Sequence, residues 1–261
     1  MTLFFVHSFQ SEWMKKKRSL ASWLVIAGGF FTPGIIIIAR LVQHDRLASI
    51  YSDPAFWQKL WRSSWESMAI FLLPIGVIMA TSLITQLEYK NNTWKQLHTL
   101  PLSLTTIFFS KLLVIVVMML QFFILFNIGI YLSAIIPYLL IPGVPFPPAA
   151  IPLGFFAKEN LLFFIDCLPI IALQYLLSLK FKNFLVPMGA GFLLWILALG
   201  SLVWKYGYTI PYTYVMFNYL KGEAVSKAAK PEMDIHVLAT GYFVVITVVS
   251  YILYISKKEK G

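Results

Sequence analysis

The stretch Ile107–Ile136, IFFSKLLVIVVMMLQFFILFNIGIYLSAII, decides the fold class of this chain. Lys111 is its one charged residue, and no proline interrupts it. A helix needs about 20 mostly apolar residues to cross a bilayer, so this run is longer than one crossing requires. We therefore expect a transmembrane helix that tilts or projects from one side of the membrane.

The composition of the whole chain is that of a membrane protein. Of its 261 residues, 59% are hydrophobic and only 12% are charged, which is about half the charged share of a soluble domain. The net charge of +10 is concentrated at the ends of apolar runs, so we assign it to membrane orientation and contact with membrane lipids; we expect no nucleic-acid partner. Cys167 is the single cysteine and is interpreted as a small buried apolar side chain.

Six apolar runs are long enough to cross a membrane, which predicts an all-α integral membrane protein with one transmembrane domain over residues 1–261. The predicted spans are Ser19–Ala39, Ser63–Gln86, Ile107–Ile136, Leu161–Leu179, Phe184–Val203 and Val237–Ile255. The fourth is among the shortest of them. Pro33, Pro74 and Pro187 lie inside spans and are expected to kink them, whereas Gly28 and Gly29 allow close helix approach.

Lys and Arg are denser in segments 1–18, 87–111, 180–183 and 256–261 than in the segments on the other side of the membrane. The positive-inside rule then places both termini in the cytoplasm. On the outer side, the prolines of 137–160 predict little regular helix. The tyrosines at the start of 205–235 are typical of a belt at the membrane interface.

Residues 2–18 form an amphipathic pattern. Phe5, Phe9 and Trp13 recur on one helical face, and Glu12 and Lys16 lie away from it. The pattern predicts a helix that lies in the inner membrane interface and leads into the first span. A frayed polar tail is the alternative.

A polar segment, Gln86–Leu104 (QLEYKNNTWKQLHTLPLSL), separates the second and third spans. Asn91 or Asn92 can cap a short helix over 93–100 that Pro101 ends, and Ser103 can cap the next span. Trp94, Leu97 and Leu100 would share one face of that helix. Two interpretations fit: a solvated turn anchored to headgroups by Trp94, or a surface that docks on a cytoplasmic partner.

This segment resembles the permease subunits of ABC-type exporters. The resemblance rests on 88–94 (EYKNNTW), Leu97, the Leu-Pro-Leu-Ser run of 100–103 and the Ser-Lys pair of 110–111, with 11–15 (SEWMK) and 17–18 as a second element. It is most similar to the branch that contains bacteriocin- and lantibiotic-immunity permeases. Such permeases lie in the bacterial inner membrane.

The resemblance implies that 88–101 is a coupling helix, that 2–18 is a connecting helix, and that a cytoplasmic ABC ATPase is the partner. The ATPase-contacting residues would be Glu88, Tyr89, Asn91, Thr93, Trp94, Leu97, Leu100 and Pro101. A second permease subunit would complete a homodimer or heterodimer, and the cargo would be hydrophobic or amphipathic: a peptide antibiotic, a lipid or a drug. No cofactor is expected on this chain, because no Gly-Lys dipeptide occurs and a P-loop is therefore excluded. ATP and Mg would bind the ATPase.

Five polar residues within or beside the spans are candidates for a substrate path: Asp166, Gln121, Asn127, Gln174 and Glu66. Asp166 could be protonated, pair with a basic group or line the path; the alternative is that it extends to the outer interface. The glutamines and Asn127 fit hydrogen bonds between helices, and Glu66 fits a surface pair with Arg62. A proton-coupled secondary transporter or channel that uses Asp166 is the alternative function. No enzyme is predicted, because the four histidines are scattered and no metal or hydrolase motif occurs.

Overall fold

The computed structural model describes residues 2–17, 19–90, 103–221 and 233–256, and the regular structure of these residues is entirely helical. The helices are α1 (Thr2–Lys17), α2 (Leu20–Val42), α3 (Leu47–Tyr51), α4 (Phe56–Ser67), α5 (Leu73–Lys90), α6 (Leu104–Leu140), α7 (Leu153–Lys180), α8 (Leu185–Ser201), α9 (Tyr214–Tyr219) and α10 (Ile235–Ile255). A π-helical segment, Met68–Leu72, joins α4 to α5. The all-α fold class is confirmed for the described residues.

Five helices are long and apolar enough to cross a membrane: Leu20–Val42, Phe56–Leu87, Leu104–Leu140, Leu153–Lys180 and Ile235–Ile255. α8 is also apolar but has 17 residues. The fourth span is longer than predicted, because α7 extends back to Leu153 and has 28 residues. The polar residues of 158–160 made the predicted span begin too late, although Asn160 is accommodated by a pair of hydrogen bonds with Asn127 on α6.

α6 is the central helix. Its 37 residues correspond to about 55 Å, which confirms that it is longer than one crossing needs. Ser103 caps its N-terminus as predicted, since the Ser103 hydroxyl accepts from the Thr106 amide at 3.2 Å.

α1 and α2 pack along α6, α1 against its first part and α2 against its later part, and both run in the same direction as α6. Ser8 on α1 bonds to Ser110 on α6 (2.8 Å), and Arg40 near the end of α2 donates to the Ser133 carbonyl (2.9 Å). Between these points α2 and α6 meet at glycines: a Cβ on Gly129 would lie 2.8 Å from Pro33 Cγ. Small residues of this kind let two helices approach closely in a membrane.

α1 is helical as predicted, but its polar residues are not turned away from the protein. Glu12 and Lys16 are buried, while Phe9 and Trp13 are partly buried. The Lys16 ammonium donates to Gln121 Oε1 (2.5 Å) and lies 3.8 Å from the centre of the Trp13 ring; burial lowers its pKa. The amphipathic pattern missed this arrangement because α6 offers α1 its own polar groups, Ser110 and Gln121.

Aromatic side chains fill the space between α4, α6 and α7. The Trp65 and Phe163 rings stack with centres 4.0 Å apart, and the Phe126 ring meets Trp65 edge-on at 5.1 Å. All three are fully buried. Together they fix α4 and the π-helical segment against the middle of the protein.

The segment Gly207–Tyr219 enters the helical bundle. Tyr212, Tyr214, Val215 and Met216 are all 0% exposed, and α9 packs against α7 and the π-helical segment. The sequence pattern placed Tyr212 and Tyr214 in a belt at the membrane interface. Their full burial shows that this prediction was wrong for these two residues. Irregular backbone is stable at this depth only where protein surrounds it.

Candidate functional site

The predicted coupling segment lies between two described helix ends. Six of its predicted contact residues lie outside the described part of the chain: Asn91, Thr93, Trp94, Leu97, Leu100 and Pro101. The backbone of Glu88 and Tyr89 continues α5 to its last residue, Lys90. The ATPase-contacting role of all eight residues stays a prediction.

The two helix ends beside this segment are tied to the ends of α7 and α10. Gln86 on α5 donates its amide to the carbonyls of Ser178 (3.0 Å) and Phe181 (2.6 Å). At the start of α6, the hydroxyls of Thr105 and Tyr251 are 2.8 Å apart.

Gln174 joins four elements in the interior. Its amide nitrogen donates to Ser82 Oγ (2.7 Å) on α5 and to the Pro187 carbonyl (2.8 Å) on α8, and its oxygen accepts from the Tyr212 hydroxyl (3.2 Å). The predicted role as a hydrogen-bonding residue between helices fits this geometry. Pro187 lies in the first turn of α8, where the missing amide hydrogen costs no helical bond, so the predicted kink has no physical cause there.

Asp166 is fully buried and paired with a histidine. Its Oδ1 lies 2.8 Å from His236 Nδ1, and His236 is the second residue of α10. The full burial of Asp166 contradicts its extension to the outer interface, and its contact with His236 fits the alternative of a pair with a basic group. The pair holds the start of α10 against the middle of α7.

The second carboxylate oxygen of Asp166 has no hydrogen-bond partner among the described residues, and neither does the buried Tyr214 hydroxyl. Asn218 and Lys221 also lie close enough to interact with the carboxylate. A buried polar atom without a partner costs free energy, so this cluster is a place where a water molecule would be stabilised.

The other predicted polar residues lie in separate places. Gln121 accepts from Lys16, and Asn127 exchanges two hydrogen bonds with Asn160. Glu66 is exposed on α4. The structure therefore does not bring the five candidates into one path through this chain.

An apolar cavity of about 240 Å³ lies between α2, α5 and α6. Glycines and alanines create the space, and larger side chains form its walls: Leu24, Phe31, Met68, Leu72, Met119 and Phe122 are among them. It borders the π-helical segment at Met68 and Leu72. Its lining suits an apolar group and offers no charge to a polar one.

Among the described residues, no group of three or more His, Cys, Asp or Glu side chains could hold a metal ion. The pair of His236 and Asp166 is accompanied by Asn218 and Tyr214.

The family model described as "ABC-2 family transporter protein" matches residues 8–198. The chain belongs to this family. A comparison with curated proteins finds no match. Membership of the ABC-2 family makes the chain a permease subunit of an ABC transporter, a multi-pass membrane protein that works with an ABC ATPase.

The sequence of this ABC-2 chain indicated that Asp166 and Gln174 are polar residues within the spans, but it did not indicate their partners. His236 is separated from Asp166 by 70 positions and Tyr212 from Gln174 by 38 positions. No spacing rule connects such pairs. The polar character of 207–219 was the available signal, but it was assigned to the membrane surface.

Proposed function

We propose that this chain is the membrane half of an ATP-driven exporter of hydrophobic or amphipathic cargo, and that 88–101 is the segment through which an ABC ATPase drives it. Six crossings, both termini in the cytoplasm and pairing with a second permease subunit belong to the same proposal. Membership of the ABC-2 family is the observation that carries it.

Hydrogen bonds between the helices that flank 88–101 and their neighbours support the coupling role of this segment. The flanking residues Gln86 and Thr105 bond to the ends of α7 and α10, and Tyr175 on α7 donates to the Phe108 carbonyl on α6 (3.0 Å). These contacts link four long helices close to the segment. A push from a closing ATPase would move them together, as a coupling between two sites requires.

The cargo class rests on the apolar cavity between α2, α5 and α6. It borders a π-helical segment, an irregularity that is frequent at functional sites. An apolar peptide side chain, an acyl chain or a drug would match its lining. Membership of the bacteriocin-immunity branch, suggested by the resemblance of 88–103, would favour a peptide antibiotic.

Co-purification tests the coupling role. We expect an ABC ATPase encoded beside this chain to be recovered with it from detergent, and Trp94→Ala and Leu97→Ala to lower that recovery at least tenfold. A central tryptophan at an interface is commonly worth 2 kcal/mol or more, which is more than a tenfold loss of affinity. Trp94→Ala should also abolish transport without preventing membrane insertion.

The matched control is Trp204→Ala, because Trp204 is 53% exposed and lies beyond α8, at the other end of that helix from the predicted docking side. Recovery with this variant should equal that of the native chain. Equal recovery with Trp94→Ala would refute the docking role of 88–101. If no ATPase binds the native chain, the proton-coupled alternative at Asp166 becomes the function to test.

A further inference from the structure

A second cavity, of about 300 Å³, lies between the C-terminal ends of α7 and α10. Its lining changes along its depth: leucines form the walls, a lysine and a serine lie at the helix ends, and another serine lies deeper. The lining residues are Leu176, Leu179, Lys180, Ser250, Leu253, Tyr254 and Ser256. Neither the Asp166 pair nor the cavity beside α2 shares a residue with it.

Ser250 has an unusual environment for a helical serine. Its side chain is 1% exposed, and its hydroxyl makes no hydrogen bond to any described residue. A serine inside a helix ordinarily donates to the carbonyl one turn earlier. Leaving a buried hydroxyl without a partner costs about 1–3 kcal/mol, so a ligand that accepts a hydrogen bond from Ser250 would recover that cost.

Lys180 supplies positive charge at the other end of the cavity. It is the last residue of α7 and is exposed. No ion pair joins it to another residue within 2–17, 19–90, 103–221 and 233–256; its described contact is with the Phe181 ring, 5.8 Å from the ammonium. A ligand with an anionic group can therefore approach it.

The spacing of these groups matches the layers of a lipid. Ser250 lies on α10 and Ser256 caps its C-terminal end six positions later, so they are separated by about 9 Å along the helix axis. The headgroup and interfacial layer on each side of a bilayer is roughly 5–7 Å deep. A phosphate beside Lys180 and Ser256 would thus place the ester carbonyls of the same lipid near Ser250, with the acyl chains along the leucines.

We propose that this cavity is a binding site for one anionic glycerophospholipid. Lys180 binds the phosphate, Ser250 donates to an ester carbonyl, and Leu176, Leu179 and Leu253 contact the acyl chains. The site is independent of the ATPase. It lies at the ends of α7 and α10 that Gln86 and Thr105 contact, so a bound lipid would stiffen the helix ends nearest the segment 88–101.

The test measures lipid binding to the purified chain alone, in detergent, by native mass spectrometry. The probes are dioleoylphosphatidylglycerol and dioleoylphosphatidylcholine. We expect one phosphatidylglycerol to bind more tightly than phosphatidylcholine, and Lys180→Gln to weaken it about fivefold. Lys180→Arg should restore it. Ser250→Ala should weaken both lipids about fivefold, because both carry ester carbonyls.

Lys182→Gln is the matched control, since Lys182 is exposed two residues later and does not line the cavity. Equal losses for Lys180→Gln and Lys182→Gln would show general attraction to a basic surface and overturn the proposal. So would unchanged binding by Ser250→Ala, or full displacement of the lipid by inorganic phosphate. Size-exclusion elution of each variant verifies that it is folded. The assay contains no ATPase, so its failure leaves the exporter proposal unaffected.

Discussion

At the scale of single residues, Gly191 is where three helices meet most closely. A Cβ at this position would lie 2.5 Å from Gln174 Oε1 and 2.8 Å from Ile78 Cγ2. Neither group can move easily, because Gln174 already makes three hydrogen bonds and Ile78 is fully buried. We expect Gly191→Ala to destabilise the protein by about 1–3 kcal/mol, measured by denaturant unfolding in detergent.

Gly189→Ala is the control for that substitution. A Cβ on Gly189 would meet nothing within 4 Å, and alanine favours a helix over glycine by about 1 kcal/mol. Gly189→Ala should therefore be neutral or stabilising. If both variants behaved alike, the close contact of Gly191 with Gln174 would not contribute to stability.

The polar residues show what the sequence can predict at this scale. Gln174 and Asp166 stand out in apolar runs, so their importance is visible from the sequence. Of their partners, Tyr212 lies in the segment 205–235 that was assigned to the outer side, and His236 directly follows that segment. Only packing of α9 and α10 against α7 brings them together, and that packing leaves no periodic signal.

At the scale of helices, the join between α4 and α5 depends on a side chain from α8. Pro74 has no amide hydrogen, so the Ile70 carbonyl one turn earlier lacks its helical donor. The indole nitrogen of Trp195 donates to this carbonyl at 3.0 Å. We expect Trp195→Phe to lower stability by about 1–3 kcal/mol, the cost of a buried carbonyl without a donor, while the ring contact with Phe71 at 5.7 Å is preserved.

A double-mutant cycle separates this effect from lost packing. Pro74→Ala restores a backbone donor to the Ile70 carbonyl, so Trp195→Phe should cost less in a Pro74→Ala background. Trp204→Phe, at an exposed tryptophan, is the control and should leave the unfolding midpoint unchanged. Equal costs of Trp195→Phe in both backgrounds would show that the hydrogen bond to Ile70 is not the cause.

The sequence predicted the positions of the long helices better than it predicted where they begin. Apolar runs of 20 residues located α2, α5, α6, α7 and α10, because a bilayer demands that length. The true starts of α4 and α7 lie outside the apolar runs, since aromatic packing around Trp65 and the Asn127–Asn160 pair stabilise polar turns of helix. The π-helical segment has no sequence signal beyond Pro74.

At the scale of the whole molecule, the number of crossings depends on α8. Its 17 residues span about 26 Å, a little less than a hydrocarbon core of about 30 Å. Apolar neighbours at both ends, Phe184 and Leu202–Val203, extend the apolar length. Local thinning of the bilayer is a modest cost for a helix of this length. With α8 included, the chain crosses six times and both termini lie on one side.

Reporter fusions test this topology. We expect green fluorescent protein at the C-terminus to fluoresce and alkaline phosphatase there to be inactive, because a chain with six crossings and a cytoplasmic N-terminus would end in the cytoplasm. Insertion of alkaline phosphatase after Trp204, beyond α8, should give an active enzyme. Insertion after Gly143, beyond α6, is the control and should be active whether or not α8 crosses. Active phosphatase at the C-terminus, with an inactive insertion after Trp204, would instead establish five crossings. The segment 88–101 and the C-terminus would then lie on opposite sides, in conflict with the contact between Thr105 at the start of α6 and Tyr251 near the end of α10.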